Sequence, residues 1–528
     1  MVIAVFDFLK YNAPNEKDSF ELTFSDKEYI EKQKDYSTVK TKQNIFENYE
    51  YIKDILHTGI NGDIVIRWFC INRKSESVKG FLVMADGLCN SASVNEYILS
   101  PLINTGIVFD DKVKNDIKYY VENIIAQGQT SYSNKIIDLA QSVNIGNVAL
   151  FIDGCDEGVI IDVKFWEHRG VDTPLNESVV QGPHEAFNEM LRSNTALIRK
   201  TVNNPDLIME TFIFGKKGKI PASLAYIEGV INPGLLNEIK KRLENIDAEY
   251  ILSVFDIEKK LEESAIMPFP QIISTERPDK ASRALIEGRA VLILNGSSNV
   301  LILPSNITDI ISSPEDSYLR LPYSVFIKCI RLIAIVLSLF TPALYLALTG
   351  FHRESILTDM LITLSEASRM VPFSPLTEVL IMEFSFELIK EAGVRIPGAI
   401  GSSLGIVGGL ILGQAAVSAG LVSPIVIILV SVCGIASFAI PSYSLSFSFR
   451  LMRFVYIIAG GVFGITGIIS VLMVHLATAL GIKSFGVPLF VPFAPETKKY
   501  SFFKAVFKTH AEITKPEYLN TVKNEVNK

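Results

Sequence analysis

Charge is missing from a long stretch of this chain: Ile396 to Phe449, 54 consecutive residues, contain no Asp, Glu, Lys, Arg or His. A run of that kind excludes a water-facing surface and reads as membrane. At a rise of ~1.5 Å per residue it is too long for one crossing of a ~30 Å hydrocarbon core and fits two crossings with a turn. Gly420, Ser423 and Pro424 supply the turn, and Pro441 stops the second half. Inside lipid both halves must be helical, because no water is there to satisfy stray backbone groups.

Other absences narrow the function. The five cysteines (Cys70, Cys89, Cys155, Cys329, Cys433) form no CxxC pair and have no histidine at metal spacing, which argues against a zinc site or a disulfide framework. No GxSxG, HExxH, GxxxxGK[ST] or dinucleotide fingerprint occurs, so the soluble half offers no catalytic constellation, and neither a cofactor nor an enzymatic activity is expected. A basic excess is missing as well. Residues 1–324 carry 34 Lys+Arg against 46 Asp+Glu, the opposite of a chain that neutralises phosphates, which excludes nucleic acid as a partner. Met1–Lys10 has a short apolar patch broken by Asp7, with no small-residue cleavage site, and does not read as a signal peptide.

What is present divides the chain into an α/β soluble N-terminal region of two subdomains followed by an α-helical transmembrane bundle of about four to six spans. Residues 1–40 read as a flexible lead-in, 41–202 and 203–323 as the two α/β subdomains, 324–495 as the membrane domain, and 496–528 as a basic cytoplasmic tail with seven lysines against four glutamates. Strand-length runs are Asp63–Cys70, Lys79–Ala85, Val148–Asp153, Gly158–Val163, Leu207–Phe214, Ser223–Val230, Tyr250–Val254, Ala290–Asn295 and Asn299–Leu303. Spans fall near 332–351, 399–419, 421–440 and 454–480, with amphipathic helices within 352–395.

Several groups of residues invite a chemical reading. Asp153, Asp156 and Asp162 suggest calcium, but the spacing departs from an EF-hand loop and a tight hairpin turn explains them better. Arg192 and Arg199 share one face of a helix from His184 to about Lys200, where they either seize an anion or bridge to acidic neighbours. Lys216-Lys217-Gly218-Lys219 sits between two strands and reads as a solvated hairpin. Between the first and second spans the carboxylates are the informative feature. Asp359 and Glu366 lie seven apart, and Glu383, Glu387 and Glu391 recur in four-residue steps, each set on one stripe of an otherwise apolar helix. Either Glu383, Glu387, Asp359 and Glu366 line an ion path, or they form the wet face of interfacial helices. Gly401 and Gly405, Gly409 and Gly413, and Gly460 and Gly464 stand four apart, the spacing that lets helix backbones approach closely.

At this point the chain resembles a known family. Ala85-Asp86-Gly87-Leu88, LFIDGCDEGVIIDVKFWEHRG (150–170), VVQGPHEAFNEMLRSNTALIRK (179–200), IPASLAYIEGVINP (220–233), the block 265–304 with its STERPDKASRALIEGRA core, LTGFHRESILT (348–358) and the glycine-rich stretch 382–428 look like the A subunit of the GerA-type spore germinant receptors. The resemblance runs in collinear order over roughly residues 80–495. It implies a multi-pass protein of the spore inner membrane, with its N-terminal region facing the cytoplasm or spore core. It also implies a permease-like B subunit and a lipoprotein C subunit as partners, contact with membrane lipid, and assembly of A subunits as a homo-oligomer into a nutrient-gated ion channel that signals the start of germination. No catalytic residue carries over. One departure is His184 after Gly182-Pro183, where members often show an arginine. The rival readings are a secondary transporter, against which stands the lack of an inverted repeat among the spans, and a membrane-anchored signalling scaffold.

Overall fold

The computed structural model describes residues 36–491 except 37, 73–76, 105–115, 127–128, 165–173, 175–176, 264–268, 370 and 396–412. The expected lead-in and basic tail therefore lie almost wholly outside the described residues, as does most of the span expected at 399–419.

In the first unit β1 (Ile64–Asn72) and β2 (Ser77–Ala85) form a long antiparallel pair. With β3 (Thr130–Ser133), β4 (Val148–Ile152) and β5 (Gly158–Ile161) they make a five-stranded sheet in the order β1-β2-β4-β5-β3. Successive side chains of a strand point to opposite faces, and the sequence uses both. Leu82 joins Leu150, Ile98, Leu102 and Tyr120 on one side. Phe81 and Val83 join Phe151 and the helices α1 (Ile45–Ile55) and α2 (Ile136–Asn144) on the other. Gly154 turns the β4–β5 hairpin at φ 87, and Asp153 accepts the backbone N–H of Ile45 at 3.2 Å. The Asp153–Asp162 stretch is thus a hairpin, as its turn residues predict.

The second unit repeats this plan. β6 (Leu207–Phe214), β7 (Ile220–Ile227), β8 (Ile273–Thr275), β9 (Ala290–Leu294) and β10 (Val300–Leu303) are ordered β6-β7-β9-β10-β8, the same permutation, and every pair in both sheets is antiparallel. In β9 Leu292 and Leu294 face one core, with α4 (Pro233–Glu244) and α5 (Val254–Leu261). Val291 and Ile293 face the other, with α3 (Leu191–Thr201) and α6 (Pro278–Ile286). Tyr250–Val254, expected as a strand, is not one. Ser253 and Asp256 close a capping box there and start α5 instead, which local side-chain hydrogen bonding favours over a ladder. The helix expected from His184 begins only at Leu191.

A short buried seam joins the units. Arg199 on α3 donates to both carboxylate oxygens of Asp63, at 2.6 and 2.9 Å, and to Asn144 at 2.8 Å. Arg192 pairs with Asp86 at 3.3 Å in a more exposed position, so both arginines bridge to neighbouring acids. Gly62 donates its N–H to the Met209 carbonyl at 2.9 Å, and a Cβ at Gly62 would strike the Thr211 hydroxyl. Lys216 and Lys217 pair with Asp247 and Glu249 at the surface, as expected of a solvated hairpin.

The second core is completed from the far end of the chain. After the last long helix, β11 (Lys483–Ser484) and β12 (Val487–Pro488) form a two-stranded hairpin. Phe485, Val487 and Val491 are buried among Leu224, Leu235, Ile239, Leu292 and Leu301. The boundaries expected at 203–323 and 324–495 need correction accordingly: residues 483–491 belong to the second α/β unit.

Candidate functional site

Beyond the α/β units lies a helical bundle of α7 (Leu321–Phe351), α8 (Thr358–Arg369), α9 (Pro375–Arg395), α10 (Pro424–Phe438) and α11 (Tyr443–Gly481). Pro322–Phe351 and Tyr443–Gly481 are long and apolar enough to cross a bilayer, and Pro424–Phe438 is a shorter apolar helix. Among the described residues that is fewer than the four to six spans expected.

The 39 residues of α11 would reach ~58 Å as one straight helix. They do not run straight. Gly464 sits at φ 63 and ψ −147, and Tyr456 lies within 3.0 Å of the His475 ring nitrogen, a pair that a straight helix would hold ~28 Å apart. The element is therefore a helical hairpin that reverses at Gly464. Gly460, four residues earlier, presses on α7: a Cβ there would stand 2.7 Å from the Ala343 carbonyl oxygen. So Gly460 is a close helix crossing, whereas Gly464 makes a turn that a side chain would strain, with the Phe351 ring 3.0 Å from its Cβ position. Among the described residues Gly413 meets Ile427, at 3.4 Å, and Gly401, Gly405 and Gly409 lie outside them.

Contacts give the direction of each helix. Ser338, Ala343 and Phe351 of α7 meet Arg453, Gly460 and Gly464 in step, so α7 and the first arm of α11 run the same way. α10 runs against them, since Cys433 reaches the Leu337 carbonyl while Val422 and Val426 pack with Leu346. α9 also runs against them, with Glu378 accepting the Ser423 N–H at one end and Lys390 donating to Ser437 at the other. The second arm of α11 returns to the soluble unit, where His475 stacks on Phe269.

These directions bring the charges together. Glu383 accepts from Arg453 at 2.8 Å, and one turn away Glu387 accepts from Arg450 at 2.8 Å. Arg453 also donates to the Ser338 hydroxyl at 2.8 Å. Glu383 and Arg453 are both 0% exposed. The Lys390 ammonium stands over the Phe386 and Phe438 rings, 4.9 and 4.6 Å from their centroids. The result is a two-rung ladder between α9 and the first arm of α11, extended by Ser338 and Lys390. A lone carboxylate at the centre of a bilayer costs a few kcal/mol, and a facing guanidinium offsets that charge with directed hydrogen bonds. The spacing explains the match: glutamates four apart and arginines three apart each lie on one helix face. The sequence singles out the glutamates by their stripe but not Arg450 and Arg453, their partners. Asp359 and Glu366 stand apart from the ladder, exposed on α8.

A second polar cluster ties the bundle to the soluble unit. Arg331 near the start of α7 donates to both oxygens of Asp316, at 2.7 and 3.2 Å, and to the Ile311 carbonyl at 3.0 Å, with both side chains buried. Just before it, Tyr318 donates to Asp279, which also receives Arg277 at 2.7 and 3.0 Å. Burial would raise the Asp279 carboxyl, but the hydrogen bonds from Arg277 and Tyr318 outweigh it and hold the group below the usual carboxylate range. Burial and the neighbouring Asp279 push the Tyr318 phenol up to about 12.

Comparison with known proteins agrees with the sequence resemblance. The family described as "Bacillus/Clostridium GerA spore germination protein" matches residues 50–517. Spore germination protein KA of Bacillus subtilis is 34% identical over 439 residues, 83% of this chain and 80% of that protein. Spore germination protein GerLA of Bacillus cereus is 31% identical over 487 residues, 90% of this chain and 96% of that protein. Among solved structures, the crystal structure of the N-terminal domain of the A subunit of the Bacillus megaterium spore germinant receptor GerK3 covers 50% of this chain and 95% of its own, at 28% identity and a TM-score of 0.38. With the family match spanning both α/β units and the bundle that carries the ladder, the chain belongs to the GerA family of spore germination proteins.

Proposed function

We propose that the chain is a non-enzymatic membrane subunit of a nutrient germinant receptor, and that several copies around one axis form an ion channel opened by the nutrient signal. The observation that carries this reading is the buried ladder of Glu383, Glu387, Arg450 and Arg453 in a bundle whose family acts in spore germination. Buried ion pairs are poor sources of stability, but they are a good means of fixing one of two helix arrangements. In this reading the ladder holds α9 against the first arm of α11 in one state. The exposed Asp359 and Glu366 on α8 are the carboxylates free to face an ion path, where one acid per subunit becomes a ring that attracts cations.

Among the described residues α7 leads away from the α/β units, α9 and α10 lead back towards them, and the two arms of α11 lead away and return. The seven lysines of residues 496–528 favour a cytoplasmic tail, and in this reading the α/β units lie on the same side, facing the spore core. The location is then the spore inner membrane, and the partners are a permease-like B subunit and a lipoprotein C subunit. Deleting the gene from a sporulating strain tests the reading. Nutrient-triggered germination should be lost for at least one nutrient class and regained on complementation. A deletion that changes growth on a nutrient but not germination would instead favour a transporter.

A further inference from the structure

The hairpin that follows the last helix of the bundle is held on both of its sides. Its two-residue turn, Phe485-Gly486, has φ 50 and φ 76, so the phenylalanine adopts a backbone conformation that L side chains rarely take. Its ring is nonetheless only 1% exposed, sunk in the core of the second α/β unit, with the Arg242 guanidinium 4.9 Å from its centroid. Backbone bonds fasten both sides. Ser305 donates its N–H to the Ser484 hydroxyl at 3.2 Å, and Ile307 donates to the Leu489 carbonyl at 2.8 Å. Phe490 then meets Phe269 edge-on at 5.9 Å, and Phe269 also stacks on His475 of the last helix and meets Phe449 of the preceding arm.

We propose that residues 483–491 are a transmission strap. They convert movement of the last helix into movement of the second sheet and its helices, and the reverse. The geometry favours transmission over simple anchoring because the strap and the Arg331–Asp316 pair tie the same α/β unit to the last and the first helix of the bundle. A shift of the returning arm of α11 relative to α7 therefore strains that unit. The Phe485 ring is the largest side chain by which the strap enters that core, with Val487 and Val491 buried beside it.

The functional arm of the test rests on the receptor reading; the structural arm does not. In full-length protein in its own membrane, Ser305→Cys with Ser484→Cys should form an intrachain disulfide on mild oxidation, with each single-cysteine variant as control. Failure to cross-link overturns the strap whatever the protein does. Phe485→Ala spores should contain normal amounts of the subunit yet release potassium about ten-fold more slowly on nutrient addition. Adding the oxidised cysteine pair to Phe485→Ala should restore the rate, and a reductant should remove the rescue. A wild-type rate in Phe485→Ala, or a formed disulfide that leaves the rate slow, overturns the proposal. If Phe485→Ala lowers the amount of protein, Phe485→Leu keeps most of the apolar volume and should show intermediate slowing; a wild-type rate there has the same force. Potassium release that survives deletion of the gene contradicts the receptor reading alone.

Discussion

At the scale of single residues, the account rests on what charge costs in each surrounding. Removing Arg453 leaves Glu383 buried and unpaired, and breaking a buried pair from one side costs about 3–5 kcal/mol. Arg453→Ala should therefore cut the amount of subunit in the membrane sharply, whereas Arg453→Ala with Glu383→Gln should recover most of it. Immunoblots of spore membranes decide this, and equal losses in the single and double variants would show that the pair does not act as a unit. A second test lies on α5 in the soluble part. Burial, followed by the like charge of Glu262, pushes the Glu258 carboxyl up to about 8. The folded form then holds a proton that the unfolded chain has released, so stability falls as pH rises from the ordinary carboxylate range through about 8. Glu258→Gln should flatten that decline and raise the melting temperature at pH 8 more than at pH 5. A wild-type slope in the variant would place the carboxylate in water.

At the scale of elements, turn chemistry and alternation were readable, and long-range closure was not. Leu207–Phe214 came out with the observed bounds because its apolar run ends at a Gly/Lys turn. The helices that start at Pro233 and Pro278 each carry a proline in the first turn. Tyr250–Val254 misled because its apolar alternation hides a capping box. β3 and β8 were missed because three- or four-residue strands carry too little pattern. In the bundle, glycine spacing grouped Gly460 with Gly464, but one packs a helix crossing and the other reverses the chain, a distinction that depends on φ and not on composition. Gly464→Ala should cost about 1–3 kcal/mol through its backbone angle alone. Gly460→Ala should instead act through the Ala343 carbonyl, and Ala343→Gly should relieve little of it because the clash is with backbone. Heat-induced aggregation of the detergent-solubilised protein, followed for each variant, measures this; an unchanged profile for Gly464→Ala would mean that the helix does not turn there. The acid stripe was legible as an anomaly, while its partners were not, because Arg450 and Arg453 face it only after α11 has been placed.

At the scale of the whole molecule, two α/β units of one strand order stack through Arg199 and Asp63, and the second is clamped to the first and the last helix of the bundle. The repeat was hidden from sequence because the two units share a topology and not a motif. Completion of the second core by Phe485, Val487 and Val491 predicts that a soluble fragment ending near residue 320 is weakened. Fusing residues 482–491 to it through a flexible linker should raise its melting temperature by roughly 5 °C or more, given what burying one large apolar side chain contributes. An unchanged melting temperature would mean that the hairpin is not part of that core. The central claim, that this subunit passes ions on a nutrient signal, is tested most directly by reconstituting the purified receptor complex in potassium-loaded liposomes and recording efflux on nutrient addition. The account predicts nutrient-dependent potassium efflux that Asp359→Asn with Glu366→Gln slows without loss of protein. Vesicles that hold their potassium while the intact receptor binds nutrient would contradict it.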